Sequence, residues 1–180
     1  MKWKHLTPTL APIQWAAVGA VATRLYMPER STQDLDIAVR FDEGAEARRK
    51  LSLAGFVHQS ELAIGGSSWR APDGETMDVL EVRGPWWEEA LSEAQTNLDP
   101  EGLPVLPLRH LILMKVQAGR VQDLADVARM LGQASQESLS SVRALFARYA
   151  PADAEDLESL IALGQLEMQP PLKEGDEKSR

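Results

Sequence analysis

The sequence contains no cysteine, which excludes disulfide bonds, thiolate-bound zinc and a cysteine nucleophile. It has only three histidines, and His58 has no second ligand at a metal-site spacing, so we interpret His58 as structural. No apolar run approaches the roughly 18 residues that a membrane helix needs. The opening Met-Lys-Trp-Lys-His is not followed by the apolar segment of a secretory signal. We therefore expect a cytoplasmic protein without a membrane segment.

Basic residues are fewer than acidic ones, with 19 Lys and Arg against 27 Asp and Glu and a formal net charge of −8. This balance disfavours broad, nonspecific binding of nucleic acid, although a local basic patch remains possible. Hydrophobic residues make up 44% of the 180 residues, which is typical of a globular protein. The length suits one domain, or one domain with a small appendage.

Two carboxylates stand two residues apart in the alternating run Arg30-Ser-Thr-Gln-Asp34-Leu-Asp36-Ile-Ala-Val39. On a strand, Asp34 and Asp36 would share one face and the apolar residues the other. Neighbouring carboxylates raise each other's pKa unless a cation lies between them, and Mg²⁺ typically takes one or two carboxylates together with substrate phosphates. The pair indicates either a magnesium–nucleotide site or a solvated edge strand of an acidic protein.

A glycine turn precedes this carboxylate strand. The sequence predicts a strand over residues 15–19 and a helix over residues 20–27. Gly19 would let the backbone approach a phosphate, and the helix N-terminus favours an anion. This order, followed by Asp-x-Asp, resembles the nucleotidyltransferase superfamily of the polymerase-beta type. The resemblance implies phosphate binding by the backbone at Gly19 and Ala20, although Ala20 departs from the family's usual Gly or Ser and offers no hydroxyl.

A third carboxylate, Asp78, lies on the predicted strand Thr76–Val82. In the resembled superfamily, an acid from a neighbouring strand completes the metal-binding set, and Asp78 fits that place by order and context. The resemblance therefore implies that Asp34, Asp36 and Asp78 are catalytic ligands of Mg²⁺, with an NTP as substrate. The alternative for Asp78 is a strand-edge aspartate without a ligand.

The loop that leads into the carboxylate strand adds two candidate residues. Arg30 either contacts phosphate, holds a carboxylate in place or is a surface arginine. Thr32 lies two residues before Asp34, so on a strand it would share the carboxylate face.

The second informative stretch is Leu111-Ile-Leu-Met-Lys115-Val-Gln-Ala118-Gly119-Arg120-Val-Gln-Asp123-Leu-Ala-Asp126. Lys115 continues the apolar stripe of a predicted helix, so its amine must reach solvent, a carboxylate or an anion. Together with residues 30–36, this stretch resembles AbiEii-like nucleotidyltransferases and related small bacterial families, which include type IV toxin–antitoxin components. The resemblance implies that Lys115 contacts the nucleotide phosphates, that Arg120 does so or braces the site, and that Asp123 orients the lysine.

We therefore expect an α/β (α+β) fold in which a short mixed β-sheet is flanked by helices and followed by C-terminal helices. The predicted parts are a nucleotidyltransferase-like core over residues 1–132, a helical portion over residues 133–164 and a polar, disordered tail over residues 165–180.

The function implied is transfer of a nucleoside monophosphate from an NTP to an acceptor, which is a tRNA, a protein side chain or a small molecule. The alternative is a non-catalytic protein of the same fold that binds a nucleotide or a cognate toxin or antitoxin, and Ala20 is the feature that favours it. An antibiotic-modifying adenylyltransferase is a third possibility, disfavoured by the second stretch.

Overall fold

The computed structural model describes Trp3, residues 5–27 and residues 34–169. The predicted site residues Arg30 and Thr32 lie outside these ranges. The described residues form five strands and eight α-helices, with 3₁₀ turns at Phe41–Glu43 and Pro151–Asp153. In chain order, the elements are α1 (Leu6–Leu10), β1 (Trp15–Val18), α2 (Gly19–Tyr26), β2 (Leu35–Arg40), α3 (Gly44–Leu53), β3 (Val57–Glu61), β4 (Gly66–Arg70), β5 (Thr76–Val82), α4 (Trp87–Ala94), α5 (Leu108–Ala118), α6 (Val121–Gln133), α7 (Gln136–Tyr149) and α8 (Ala154–Glu167).

The sheet is mixed, which confirms the predicted fold class. Its strand order is β1-β2-β5-β4-β3, with β2 and β5 parallel and the other neighbouring strands antiparallel. Parallel neighbours need a long crossover between them, and here α3, β3 and β4 provide it. The crossover places β5 beside β2, so that two strands distant in sequence become direct neighbours.

The buried face of the central strands explains their alternating sequence. Leu35, Ile37 and Val39 of β2 are fully buried, while Asp36 and Arg40 between and after them are half-buried. Met77 and Val79 of β5 repeat this pattern beside Asp78. Burying these apolar side chains fixes the register of the strands, because a slip by one residue would exchange the two faces.

Two glycines allow α6 and α8 to cross at close range. A Cβ added to Gly164 would lie 1.9 Å from the carbonyl oxygen of Ala128, and one added to Gly132 would lie 2.3 Å from the carbonyl oxygen of Gly164. Both distances are far below a normal van der Waals contact, so the crossing requires glycine at these positions.

The Gly164→Ala variant is therefore expected to lower the free energy of unfolding by about 1–3 kcal/mol, although alanine is the better helix former. Urea unfolding followed by circular dichroism measures the change. Leu166→Ala, at an exposed position of the same helix, is the control and should stay within about 0.5 kcal/mol of the wild type. A Gly164→Ala protein as stable as the wild type would contradict the tight crossing.

The C-terminal boundaries differ from the sequence expectation in one detail. The tail was expected from residue 165, but α8 continues to Glu167, because Ile161 and Gly164 pack against the rest of the molecule late in the helix. Residues 170–180 lie outside the described ranges, and the division into core and helical portion stays a prediction. Among the described residues, no helix is both long enough and apolar enough to cross a bilayer.

Candidate active site

Two of the predicted carboxylates lie side by side on neighbouring strands. Asp36 of β2 is the register partner of Asp78 on the parallel strand β5, and on its other side it is the partner of Val18 on β1. Adjacent strands are about 4.8 Å apart, and register partners point to the same face of a sheet. The structure therefore brings Asp36 and Asp78 together, although 42 positions of the chain separate 36 from 78.

Gly19 closes the site on the side of β1. It is the first residue of α2, and its φ of +60° is a backbone conformation that favours glycine. A Cβ added there would lie 2.0 Å from Oδ2 of Asp36. The carboxylate of Asp36 is thus packed directly against the beginning of a helix, where the free backbone N–H groups attract anions.

The electrostatics of Asp36 indicate a surplus of negative charge. Burial raises its pKa, and the neighbouring carboxylates of Asp78 and Asp34 raise it further, to about 6. The positive charges of Arg120 and Lys115 act in the opposite direction but do not cancel these effects. A cation between the carboxylates would remove the repulsion.

Asp36 and Asp78 open into a cavity of about 270 Å³. Its polar side contains Gly19, Asp36, Asp78 and Arg120, and its apolar walls are formed by Val18, Leu62, Ile64, Leu80, Val82, Trp87, Met114 and Ala118. Another cavity, of about 340 Å³, lies between the N-terminal segment and the β4–β5 turn, where Trp3, Phe56 and Pro72 line it. In the described part of the chain, it contains a single carboxylate, that of Asp73, and shares no lining residue with the smaller cavity. The smaller cavity, with Asp36 and Asp78, is therefore the candidate active site.

Lys115 is buried, with only 3% of its surface exposed. Its Nζ donates hydrogen bonds to Oδ1 of Asp123 at 2.8 Å and to Oδ2 of Asp126 at 3.0 Å. It does not line the cavity, whereas Met114 and Ala118 of the same helix do. The predicted pairing of Lys115 with Asp123 is thus present, and a direct contact between Lys115 and a phosphate stays a prediction.

Arg120 reaches the cavity because the chain reverses between α5 and α6. Gly119 ends α5 in the left-handed conformation, and Arg120 precedes the first residue of α6. Its Nε donates a hydrogen bond to Oδ2 of Asp123 at 2.8 Å, while 72% of its side chain remains exposed. One aspartate therefore holds both cations, Lys115 from the buried side and Arg120 from the cavity side.

Two other predicted site residues, Asp34 and Ala20, do not line the cavity. Asp34 is exposed, lies immediately before β2 and acts on Asp36 through its charge. Ala20 is half-buried in the first turn of α2. Trp87 is buried against Trp86 at a ring distance of 4.1 Å and also lines the cavity. Leu62 and Ile64 were not anticipated; their only signal was a pair of apolar residues beside the Gly65-Gly66 turn.

The Gly19→Ala variant tests the close approach to Asp36. On the nucleotide-binding role that the sequence resemblance implies, we expect loss of Mg²⁺-dependent nucleotide binding, because the new Cβ displaces the Asp36 carboxylate. We also expect a destabilisation of about 1–2 kcal/mol from the positive φ. Gly74→Ala is a matched control, since Gly74 has a φ of +92° and an added Cβ would meet nothing within 4 Å. Isothermal titration calorimetry should show normal nucleotide binding by Gly74→Ala. If both variants bind the nucleotide equally well, Gly19 is not part of the binding site.

Comparisons with known proteins give no family model and no curated protein that matches the chain. Among solved structures, the antibiotic-resistance factor ANT(2'')-Ia is similar over 90% of each chain, with a TM-score of 0.46 and 17% identity. The lincosamide antibiotic adenylyltransferase LnuA aligns with 78% of this chain and 91% of its own, with a TM-score of 0.42 and 10% identity. Terminal uridylyl transferase 4 from Trypanosoma brucei aligns with 72% of this chain and 47% of its own, with a TM-score of 0.37 and 13% identity.

Proposed function

We propose that this protein is a Mg²⁺-dependent nucleotidyltransferase, which moves a nucleoside monophosphate from an NTP to an acceptor. The observation that carries the proposal is the pairing of Asp36 with Asp78 on adjacent parallel strands, with Gly19 against Asp36 at the start of a helix. Two carboxylates beside a helix N-terminus support the proposal, because a metal–triphosphate complex needs ligands for the metal ion and donors for the phosphates.

The donor set fits Mg²⁺. Asp36 and Asp78 supply carboxylate oxygens from a rigid sheet, and Asp34 lies near enough to raise the pKa of Asp36. Mg²⁺ prefers oxygen ligands and is usually held by one or two carboxylates and the substrate's phosphates. When bound, the ion would neutralise charge on the triphosphate and favour deprotonation of the acceptor hydroxyl.

The protein's own groups would divide the remaining work. The backbone N–H groups at Gly19 and Ala20 would bind phosphate oxygens at the N-terminus of α2, and Arg120 would face them from the opposite side of the cavity. In the reaction, the acceptor oxygen forms a bond to the α-phosphorus, the bond to the β-phosphate breaks and pyrophosphate leaves. Asp78 would complete the metal site and either lower the pKa of the acceptor hydroxyl or take its proton.

Three other residues keep the roles that the sequence motifs imply. Lys115 would contact a phosphate directly or act through Asp123 and Arg120, and the hydrogen bonds of its amine favour the second role. Arg30 would bind phosphate or a carboxylate, and Thr32 would lie beside Asp34.

The acceptor remains to be chosen among a tRNA, a protein side chain and a small molecule. The apolar walls formed by residues such as Leu80, Val82 and Trp87 suit an acceptor with an apolar surface. The net charge of −8 works against a polyanion, so it favours a protein or a small molecule over tRNA.

A second candidate function is supported by Ala20. A non-catalytic member of the fold would keep the carboxylates but bind a nucleotide or a cognate toxin or antitoxin without turnover. The toxin–antitoxin assignment rests on the motifs at residues 30–36 and 111–126 of the sequence.

The deciding experiment is calorimetric titration of each of the four NTPs, with Mg²⁺ and with EDTA, into the wild type and the Asp36→Asn variant. We expect one NTP to bind only with Mg²⁺ and only to the wild type, after which the labelled nucleotide serves to find the acceptor. If a well-folded wild type binds no NTP, the catalytic proposal is wrong for this chain, and a pull-down for a protein partner follows.

A further inference from the structure

A second group of potential metal ligands lies outside the candidate active site, where α4 meets α5. Glu89 and Glu93 stand one helical turn apart on α4, and His110 projects from the first turn of α5. One ligand atom from each of these three residues can be chosen so that all lie within 4.8 Å of one another.

His110 is the observation that separates this group from an ordinary surface cluster of acids. Its side chain is completely buried, and among the residues that the structure describes, neither Nδ1 nor Nε2 has a hydrogen-bond partner. A neutral imidazole always carries one N–H group, and leaving such a group buried without a partner destabilises a protein substantially. The ring stacks on Trp86 at 5.8 Å, and its Nδ1 is directed towards Oε2 of Glu93, at 3.8 Å. The contact is too long for a hydrogen bond, so the geometry leaves room for a bridging atom.

Arg109 uses the opposite oxygens of the two carboxylates. Its Nη2 donates to Oε1 of Glu89 at 2.6 Å and also to Oε1 of Glu93. The guanidinium therefore fixes both carboxylates while leaving their Oε2 atoms for another partner. A second guanidinium, that of Arg148, has its Nη1 3.7 Å from Oε2 of Glu89, and its side chain is mostly exposed. The two carboxylates are therefore balanced in charge by Arg109 and Arg148, of which Arg109 donates hydrogen bonds to both.

We propose that Glu89, Glu93 and His110 bind a divalent transition-metal ion of the Zn²⁺ type, which joins α4 to α5. One imidazole nitrogen with two carboxylate oxygens is a donor set that suits Zn²⁺ better than Mg²⁺ or Ca²⁺, which prefer oxygen alone. Zinc–ligand distances of about 2.0–2.2 Å in a tetrahedral site place ligand atoms about 3.3–3.6 Å apart. The ligand atoms here lie within 4.8 Å of one another, so the half-exposed glutamates would move by up to about 1.5 Å to close the site.

A groove of about 260 Å³, lined by Glu93, Arg109 and Ser141 among others, adjoins the cluster. The bound metal would hold Trp87 of α4 and Met114 of α5, which line the candidate active site, at a fixed distance.

The test is binding of Zn²⁺ alone, followed by calorimetry and by metal analysis after dialysis. All proteins carry Asp36→Asn, so that the candidate active site contributes no carboxylate pair. In this background, we expect a single tightly bound Zn²⁺ that Mg²⁺ does not displace, and a melting temperature that rises with Zn²⁺.

Three further variants assign the ligands. His110→Phe keeps an aromatic ring against Trp86. Glu93→Gln changes a half-exposed side chain, so we expect this variant to fold. Each of the two variants is expected to weaken Zn²⁺ binding by at least roughly tenfold. His58→Gln is the matched control, because it removes an exposed histidine that lies 3.0 Å from Glu61, and it should bind Zn²⁺ as tightly as its parent. No Zn²⁺ binding, or binding that neither His110→Phe nor Glu93→Gln weakens, would overturn the proposal. If His110→Phe does not fold, the Zn²⁺ affinity of Glu93→Gln alone decides the test.

Discussion

The Asp36→Asn variant is expected to lose Mg²⁺-dependent nucleotide binding and, in the same protein, to unfold at a higher urea concentration than the wild type. Binding is lost because the amide removes the charge that holds the metal ion. If this charge contributes several kilocalories per mole to the free energy of binding, its loss lowers the nucleotide affinity by about 10²-fold or more. Stability rises because burial disfavours the charged form of Asp36, Asp78 and Asp34 repel it further, and asparagine has nearly the same shape without the charge.

The pH dependence of this gain follows from the raised pKa of Asp36. An unfolded aspartate loses its proton near pH 3.8, whereas the folded protein keeps that proton until about pH 6. Between these values the folded state binds more protons, so this group makes the wild type less stable as the pH rises. The difference between the variant and the wild type should be negligible below about pH 4 and grow to about 1–3 kcal/mol above pH 6.

Urea unfolding in EDTA between pH 4 and pH 8 measures the gain. Asp42→Asn is the control, since Asp42 is an exposed carboxylate just beyond the end of β2 that forms a long ion pair with Arg40, at 3.6 Å. Its stability should change by less than about 0.5 kcal/mol at every pH. An Asp36→Asn protein that is less stable than the wild type at pH 7 would show that Asp36 is a structural residue, contrary to our assignment.

The sequence predicted the carboxylate strand well because its information is local. The large apolar residues Leu35, Ile37 and Val39 recur at every second position, which directly reflects one buried face, and the structure has this face. The pairing of Asp36 with Asp78 is different, because it depends on β5 passing β3 and β4 to lie beside β2. No local pattern encodes which strands become neighbours, so this part of the expectation came only from the family resemblance.

The partners of buried charges were harder to predict. The apolar stripe of α5 indicated that the amine of Lys115 must find a partner, and solvent, a carboxylate and an anion were all open. The structure selects Asp123 and Asp126, which lie one turn apart on the next helix. The cluster around His110 was missed because its ligands lie on two helices, and the only available signal was the four-residue spacing of Glu89 and Glu93.

The Lys115→Met variant is expected to lower the free energy of unfolding by about 3–5 kcal/mol, because it leaves two buried carboxylates without their common cation. Burial raises the pKa of Asp123, and hydrogen bonds from Lys115 and then Arg120 outweigh that effect and lower it. Asp126 is even more buried, with 2% of its surface exposed. Urea unfolding at pH 7 measures the loss, and a change below about 1 kcal/mol would contradict a tight buried ion pair.

The double variant Lys115→Met/Asp126→Asn separates the structural role of Lys115 from a role at the phosphates. Removing one of the two buried negative charges should recover part of the lost stability, because the remaining carboxylate, Asp123, still pairs with Arg120. Lys115 also lowers the pKa of Asp36, so without it Asp36 should ionise above pH 6 and Mg²⁺-dependent nucleotide binding should require a higher pH. If Lys115 acts through Asp123 and Arg120, the double variant regains near-normal nucleotide affinity at pH 8. If the folded double variant binds no nucleotide even at pH 8, Lys115 contacts the phosphates directly, which requires its amine to leave Asp123 and Asp126 when the nucleotide binds.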